Sequence, residues 1–413
     1  MAAWCVGPDG SGAGQFLERA RSATADRGPA EASDPANLTM LDFHRGDLEG
    51  LAGGGRLRRL APRRGLDFAS NDYLGLASSA ALSAAVSEAL ARGVPVGSGG
   101  SRLLRGNHPE HEALEAEAAR LFGSQGALYF STGYAANAAL LATLPQRGDL
   151  VVYDALIHAS AHEGMKLGRA EAVAAAHNDA GAVETAIVAW RGRGGTGRVW
   201  IAVESLYSMD GDRAPLADLV ALADRHEAFL LIDEAHATGV FGPGGRGLAA
   251  HLDGRENVIT LRTCGKALGC EGALVCADRV IIDVLVNRGR GLIFSTAPSP
   301  LMAAAARAAL TLMDQDQRRD RLAALVEAAR GPFERLGVTP TGSQIIPVIL
   351  GGDARTMAAA AALQAQGFDV RGIRPPTVPA ATGRLRISLT LNVGPAEVEA
   401  LAAALEPILE TST

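Results

Sequence analysis

The stretch Phe229-Leu-Leu-Ile-Asp-Glu-Ala-His236 decides how the chain is read, together with Thr263-Cys-Gly-Lys266 further on. Each is the end of a short apolar run that closes on polar residues. Runs of this length and composition read as buried strands. In a parallel sheet both carboxyl ends lie on one side, which brings Asp233, His236 and Lys266 together where ligands gather. The same pattern recurs outward from this pair. Apolar runs at 127–130, 150–153, 199–203 and 258–261 are mostly separated by helical stretches, and His111–Phe122 has helical spacing just before them. That alternation predicts an α/β fold with a mostly parallel sheet covered by helices on both faces.

After about residue 300 the character changes. Helical segments at 301–313, 322–336, 355–366 and 395–409 surround two strands, at 345–350 and 385–389. This predicts a smaller α+β C-terminal domain over 301–413, after a large domain over 76–300 and an N-terminal segment over 40–75. Residues 1–39 are rich in Gly, Ala, Ser, Pro and Asp without periodicity, and are expected to form a mobile extension.

Bulk properties narrow the function classes. The chain has 413 residues, a net charge of -6, 48% hydrophobic and 20% charged residues, as ordinary soluble domains do. That charge gives no reason to expect nucleic-acid or anionic-membrane binding. No apolar run is long enough to span a bilayer, and the start lacks the pattern of a signal peptide, so a cytoplasmic protein is expected. Cys264, Cys270 and Cys276 recur every six residues, which fits no CxxC-type zinc spacing; with Cys5 they are expected to be reduced thiols, and no metal site is expected. Lys166 and Lys266 are the only lysines.

An aspartate after a strand is often a helix N-cap, and a lone lysine is usually a solvated charge. Together at strand ends they mean more. Chemistry based on pyridoxal phosphate (PLP) needs an amine whose pKa can be lowered by desolvation, to bond the aldehyde carbon. It also needs a carboxylate that stays ionised beside the pyridine nitrogen. Phe130-Ser-Thr-Gly-Tyr-Ala-Ala-Asn137 is a strand, a small-residue turn and a helix start, whose free N–H groups can cradle a phosphate, although a plain turn fits equally well. The tetrapeptide Asp233-Glu-Ala-His236 also marks NTPases, but those need a GxxxxGK[ST] loop. Here Thr260 stands in place of the first glycine and Ala267 follows Lys266.

At these residues the sequence resembles the α-oxoamine synthases, a family of fold-type-I PLP enzymes. The resemblance runs from about Asp67 to Leu405 and rests on FASNDYLGL (68–76), GSGGSRLLRGNHPEHEALE (97–115), FSTGYAANAAL (130–140), DALIHAS (154–160), HND (177–179), ESLYSMDGDRAPL (204–216), LLIDEAHATGVFGPGGRG (230–247), TCGKALG (263–269), FSTAPSP (294–300) and GIRPPTVP (372–379). It implies a PLP-dependent acyltransferase and a homodimer with active sites at the interface. GIRPPTVP is similar to the branch that joins L-alanine to a pimeloyl thioester, on CoA or a carrier protein. The sister branches are 2-amino-3-ketobutyrate CoA ligase, 5-aminolevulinate synthase and serine palmitoyltransferase.

The resemblance also implies roles. Lys266 would bind PLP covalently and move protons, Asp233 would pair with the pyridine nitrogen, and His158 would stack on the ring. Ser208 and His236 would lie near the phenolic oxygen. The Gly133 and Tyr134 amides and the Thr263 hydroxyl would hold the phosphate, with Thr296 added from the partner subunit. Asn71 and Arg386 would bind the alanine carboxylate, with Arg384 a close competitor. Four positions depart from the family pattern: Ile157, where Asn is frequent, Cys264 in the lysine loop, and the pair Cys270-Glu271.

Overall fold

The computed structural model describes residues 39–313 and 316–410. The expected extension at the N-terminus lies outside them, apart from Thr39. The chain divides into two units, Met1–Arg59 and Leu60–Thr413. The described part of the first contains one helix, Asp42–Gly53, with no buried residue.

The second unit opens with a two-residue strand, β1 (Leu66–Asp67). It then builds a seven-stranded sheet from β2 (Gly126–Phe130), β3 (Leu150–Asp154), β4 (Glu171–Ala175), β5 (Val199–Glu204), β6 (Phe229–Asp233), β7 (Val258–Thr263) and β8 (Ala273–Ala277), in the order β2-β8-β7-β6-β5-β3-β4. The pairs β4–β3, β3–β5, β5–β6 and β6–β7 are parallel, and β8 is antiparallel to both β7 and β2. The mostly parallel α/β architecture expected from the alternating runs is therefore what forms.

Side-chain alternation explains why these strands read as unbroken apolar runs. Val151, Trp200, Ala202, Leu231 and Ile259 bury on one face, beneath the helices Gly133–Thr143, Ala159–Leu167 and Arg279–Arg288. Leu150, Val152, Ile201, Val203, Leu230 and Ile232 bury on the other, against Ala180–Gly192 and Leu216–Arg225. A strand covered on both faces needs apolar residues at every position, where a half-exposed strand would alternate. At about 25 cal/mol per Å² of apolar surface, each fully buried Leu or Ile contributes roughly 1.5–3 kcal/mol.

A second sheet, in the order β11-β12-β9, is antiparallel and comprises β9 (Ile345–Gly351), β11 (Arg371–Ile373) and β12 (Gly383–Ser388). The short β10 (Phe368–Asp369) pairs in parallel with β1. One apolar cluster joins this sheet to the helices Asp316–Arg335, Asp353–Ala365 and Pro395–Glu410, and includes Phe68. Phe68 N–H bonds to Asp369 O and its own carbonyl accepts from Ser388 N–H. The segment that carries Asn71 and Tyr73 is thereby held against β12, which carries Arg386.

Candidate active site

The carboxyl ends of the large sheet's strands supply most of the residues singled out in the sequence; Asn71, Thr296 and Arg386 come from elsewhere. β6 ends at Asp233 and β7 at Thr263, and because the two strands are parallel neighbours, His236 and Lys266 leave the sheet on the same side. Lys266 Nζ lies 2.7 Å from His236 Nε2. Burial pushes the Lys266 amine down to about 8, Asp233 and Glu204 pull it upward, and Arg386 lowers it further. Burial also drives His236 well below the ordinary histidine range, with the charges of Lys266, Arg386 and His158 adding to it.

Asp233 is buried and fully engaged: Oδ1 accepts from Ala235 N–H at 2.8 Å and Oδ2 from Asn137 Nδ2 at 2.6 Å. Asn137 stands one turn into the helix Gly133–Thr143 and also reaches Ser160 Oγ at 3.0 Å. Ser160 Oγ in turn meets His158 Nδ1 at 2.8 Å. His158 caps the helix Ala159–Leu167 and keeps an open flank while the rest of its ring is desolvated. That desolvation lowers its pKa, with Asp233 opposing and Lys266 assisting.

Gly133 opens its helix at the end of β2, and a Cβ added there would lie 3.6 Å from the Thr263 hydroxyl. The start of this helix and Thr263 therefore face one space. Thr132 caps the helix through Ala135 N–H, and the first-turn amides of Gly133 and Tyr134 precede any intrahelical partner. Thr296 is exposed and lines a crevice with Ser131 and Arg102.

Arg386 and Arg384 lie on β12, two residues apart, and the structure separates them. Arg384 pairs with Asp210. Arg386 donates to Ser208 O at 2.6 Å, Ser388 Oγ at 2.6 Å and Tyr73 OH at 3.2 Å, all neutral groups. Among the described residues no carboxylate is in ion-pair contact with it. A buried guanidinium without an anion is a site for one. Asn71 stands beside it, its Oδ1 accepting from Tyr73 OH at 2.9 Å.

Sequence reasoning missed three buried residues here: Tyr73, Asn137 and Glu204. Glu204 ends β5 directly opposite Asp233, its Oε2 accepts from Ser208 N–H at 3.1 Å, and burial with the Asp233 charge holds its carboxyl well above the ordinary range. All three fall inside stretches quoted above, where proximity to Asn71, Gly133 and Ser208 was the available signal. A cavity of ≈ 510 Å³ opens from His158 and Ser208 and is walled by Ile157, His162, Pro376 and Val378.

The profile of the aminotransferase class I and II family matches residues 63–405. The chain belongs to this family. A family relative from Anaeromyxobacter dehalogenans, named 8-amino-7-oxononanoate synthase, is 42% identical over 89% of this chain and 96% of its own. One of the same name from Burkholderia thailandensis is 45% identical over 84% of this chain and 89% of its own. Among solved structures, a serine palmitoyltransferase variant from S. paucimobilis with a bound PLP–myriocin aldimine superposes with a TM-score of 0.81 at 28% identity, over 91% of this chain and 99% of its own. The family fold is thus the PLP fold type I expected from the sequence.

Proposed function

We propose that the chain is a PLP-dependent acyltransferase that condenses L-alanine with a pimeloyl thioester. The products are 8-amino-7-oxononanoate, CO2 and the free thiol carrier, a reaction of biotin biosynthesis. The observation that carries this reading is the desolvated Lys266 amine, close to His236 and influenced by the charges of Asp233 and Arg386. The relatives' names support the choice of substrates over the sister branches.

The residues fit PLP. An amine, a hydrogen-bonded carboxylate and a helix start facing a threonine hydroxyl match its aldehyde, pyridine nitrogen and phosphate. Bound PLP supplies a protonated ring that accepts the electron pair left when a bond at the amino-acid α-carbon breaks. Lys266 anchors the cofactor and moves the α-proton. With a pKa of about 8, roughly a tenth of such an amine is neutral at pH 7, enough for a base that contributes ~10²–10⁴-fold. Asn137 keeps Asp233 oriented. His158 would lie against the ring, and Ser208 with His236 would face the phenolic oxygen. Gly133, Tyr134 and Thr263 would hold the phosphate. Asn71 and Arg386 fix the alanine carboxylate, while Arg384 is committed to Asp210. The cavity beyond His158 takes the acyl chain, whose thiol leaves as the new carbon–carbon bond forms.

A cytoplasmic homodimer, with Thr296 reaching the partner's phosphate site, belongs to the same reading. So does the division into 40–75, 76–300 and 301–413; the second sheet has its own apolar cluster, which takes in Phe68, while the helix Pro300–Met313 packs with Leu114, Tyr129 and Cys276 of the large domain. The test is a grid of L-alanine, glycine and L-serine against pimeloyl-, acetyl-, succinyl- and palmitoyl-CoA, read by thiol and CO2 release. Turnover with alanine and pimeloyl thioester is expected. Preference for glycine with acetyl- or succinyl-CoA, or for serine with palmitoyl-CoA, moves the assignment to a sister enzyme.

A further inference from the structure

A tyrosine with no part in the steps above stands at the centre of the site's hydrogen bonds. Tyr73 is fully buried. Its hydroxyl lies 2.7 Å from His236 Nδ1, 2.9 Å from Asn71 Oδ1 and 3.2 Å from Arg386 Nη2. Across the imidazole, Nε2 lies 2.7 Å from Lys266 Nζ. One unbroken line therefore joins the pair proposed to hold the alanine carboxylate to the amine.

Counting donors and acceptors gives this line a direction. Arg386 can only donate, Asn71 Oδ1 can only accept, and Tyr73 has one proton to give. If Tyr73 gives it to Asn71, two lone pairs remain on the phenol oxygen. They accept from Arg386 and from a proton on Nδ1. The contacts with Arg386, Asn71 and Nδ1 are then all satisfied, and a neutral His236 turns a bare Nε2 toward the amine. The reverse assignment, with Tyr73 donating to Nδ1, deprives Asn71 Oδ1 of that donor. It also sets an Nε2 proton against the protons of a charged Lys266. His236 is neutral because it is buried among the charges of Lys266, Arg386 and His158. Its backbone is pinned by Gln344 Nε2, which donates to its carbonyl at 2.8 Å.

We infer that Tyr73 is a positioning residue that holds neutral His236 in its Nδ1–H tautomer and so presents an unprotonated Nε2 to the Lys266 amine. The inference rests on the proposed roles of Lys266, Asn71 and Arg386. An acceptor at Nε2 stabilises the protonated amine, alongside Asp233 and Glu204 and against burial and Arg386.

Histidine ¹⁵N NMR of the full-length chain without cofactor, in which Lys266 is a free amine, reads the tautomer directly, with His236 assigned by comparison with His236→Gln. The wild type should show Nδ1 protonated and Nε2 bare. Tyr73→Phe should lose that pattern. Asn71→Ala leaves the tyrosine in place and removes the acceptor that competes for its proton, so it should switch His236 to Nε2–H; this variant carries the test if Tyr73→Phe fails to fold. In the full-length chain without cofactor, the pH midpoint of Lys266 acetylation should fall by about one pH unit in Tyr73→Phe, the loss expected for one charge-assisted hydrogen bond. Lys166 serves as the internal reference. An Nε2–H tautomer in the wild type overturns the inference, as does a tautomer that neither substitution alters. Borohydride reduction that fixes PLP to Lys166 would instead overturn the cofactor-site reading, a result separate from the tautomer.

Discussion

Replacing Arg386 by Ala tests whether this guanidinium is the alanine carboxylate's partner. Its three hydrogen bonds go to Ser208 O, Ser388 Oγ and Tyr73 OH, and all three partners are buried. Truncation leaves a buried carbonyl and two hydroxyls without their donor, at about 1–3 kcal/mol each where water cannot reach them, so the melting temperature should drop. The functional loss is separate. Charge-assisted hydrogen bonds to a carboxylate are worth about 1.5–3 kcal/mol, which converts to a rise of roughly 10- to 150-fold in the KM for L-alanine. Arg386 also depresses the Lys266 amine, so its removal should shift the pH profile upward. Thiol release measured against alanine concentration at saturating pimeloyl thioester gives the KM. The control is Arg384→Ala, which breaks the pair with Asp210 and should change the alanine KM less than threefold. If Arg386→Ala leaves that KM within threefold of wild type, or if Arg384→Ala raises it more, the carboxylate assignment is wrong.

Two further outcomes follow from the electrostatics. Lys266 is lowered from 10.5 to about 8 by burial, so the unfolded chain binds the extra proton between those values and folding stability rises with pH across that window. Cofactor-free Lys266→Met should therefore be more stable than wild type at pH 7, by about 3 kcal/mol at most, and the gap in urea midpoints should close as pH climbs from 8 to 10.5; a gap independent of pH contradicts this. His177 behaves in the opposite sense: burial pulls it down, but its bonds to Asp154 (2.9 Å) and Asp212 (2.8 Å) outweigh that and lift it to about 10. Its contribution is complete below its unfolded value of 6.5 and is lost as pH rises toward 10, so His177→Gln should cost most in melting temperature at pH 6 and progressively less by pH 10; a constant cost would show that the charge plays no part.

The strand ends were legible in the sequence because they must satisfy two demands within a few residues. Phe229–Asp233 and Val258–Thr263 are covered on both faces, so they read as apolar runs, and where cover stops the chain turns polar. Two strands of the large sheet escaped this logic. Glu171–Ala175 is the edge of the sheet, bonded only to β3, and its alanines read as helix formers. Ala273–Ala277 follows the lysine loop and runs antiparallel, so no intervening helix announces it. In the site, Lys266 and Asp233 stood out by residue type and position. Arg384 and Arg386 have the same spacing and chemistry in the sequence, and Asp210, far away in the chain, is what separates them. Tyr73 was hidden for a related reason. A tyrosine in an apolar context reads as core, and its hydroxyl gains meaning only when β12 and the loop after β6 bring Arg386 and His236 to it.

The most direct test of the account is borohydride reduction of the PLP-loaded chain followed by peptide mapping. Because Lys166 and Lys266 are the only lysines, the answer is binary. The account predicts the phosphopyridoxyl mass on the peptide containing Lys266, and its disappearance in Lys266→Ala. The same mass on Lys166, or a reduced protein that carries none, would contradict it.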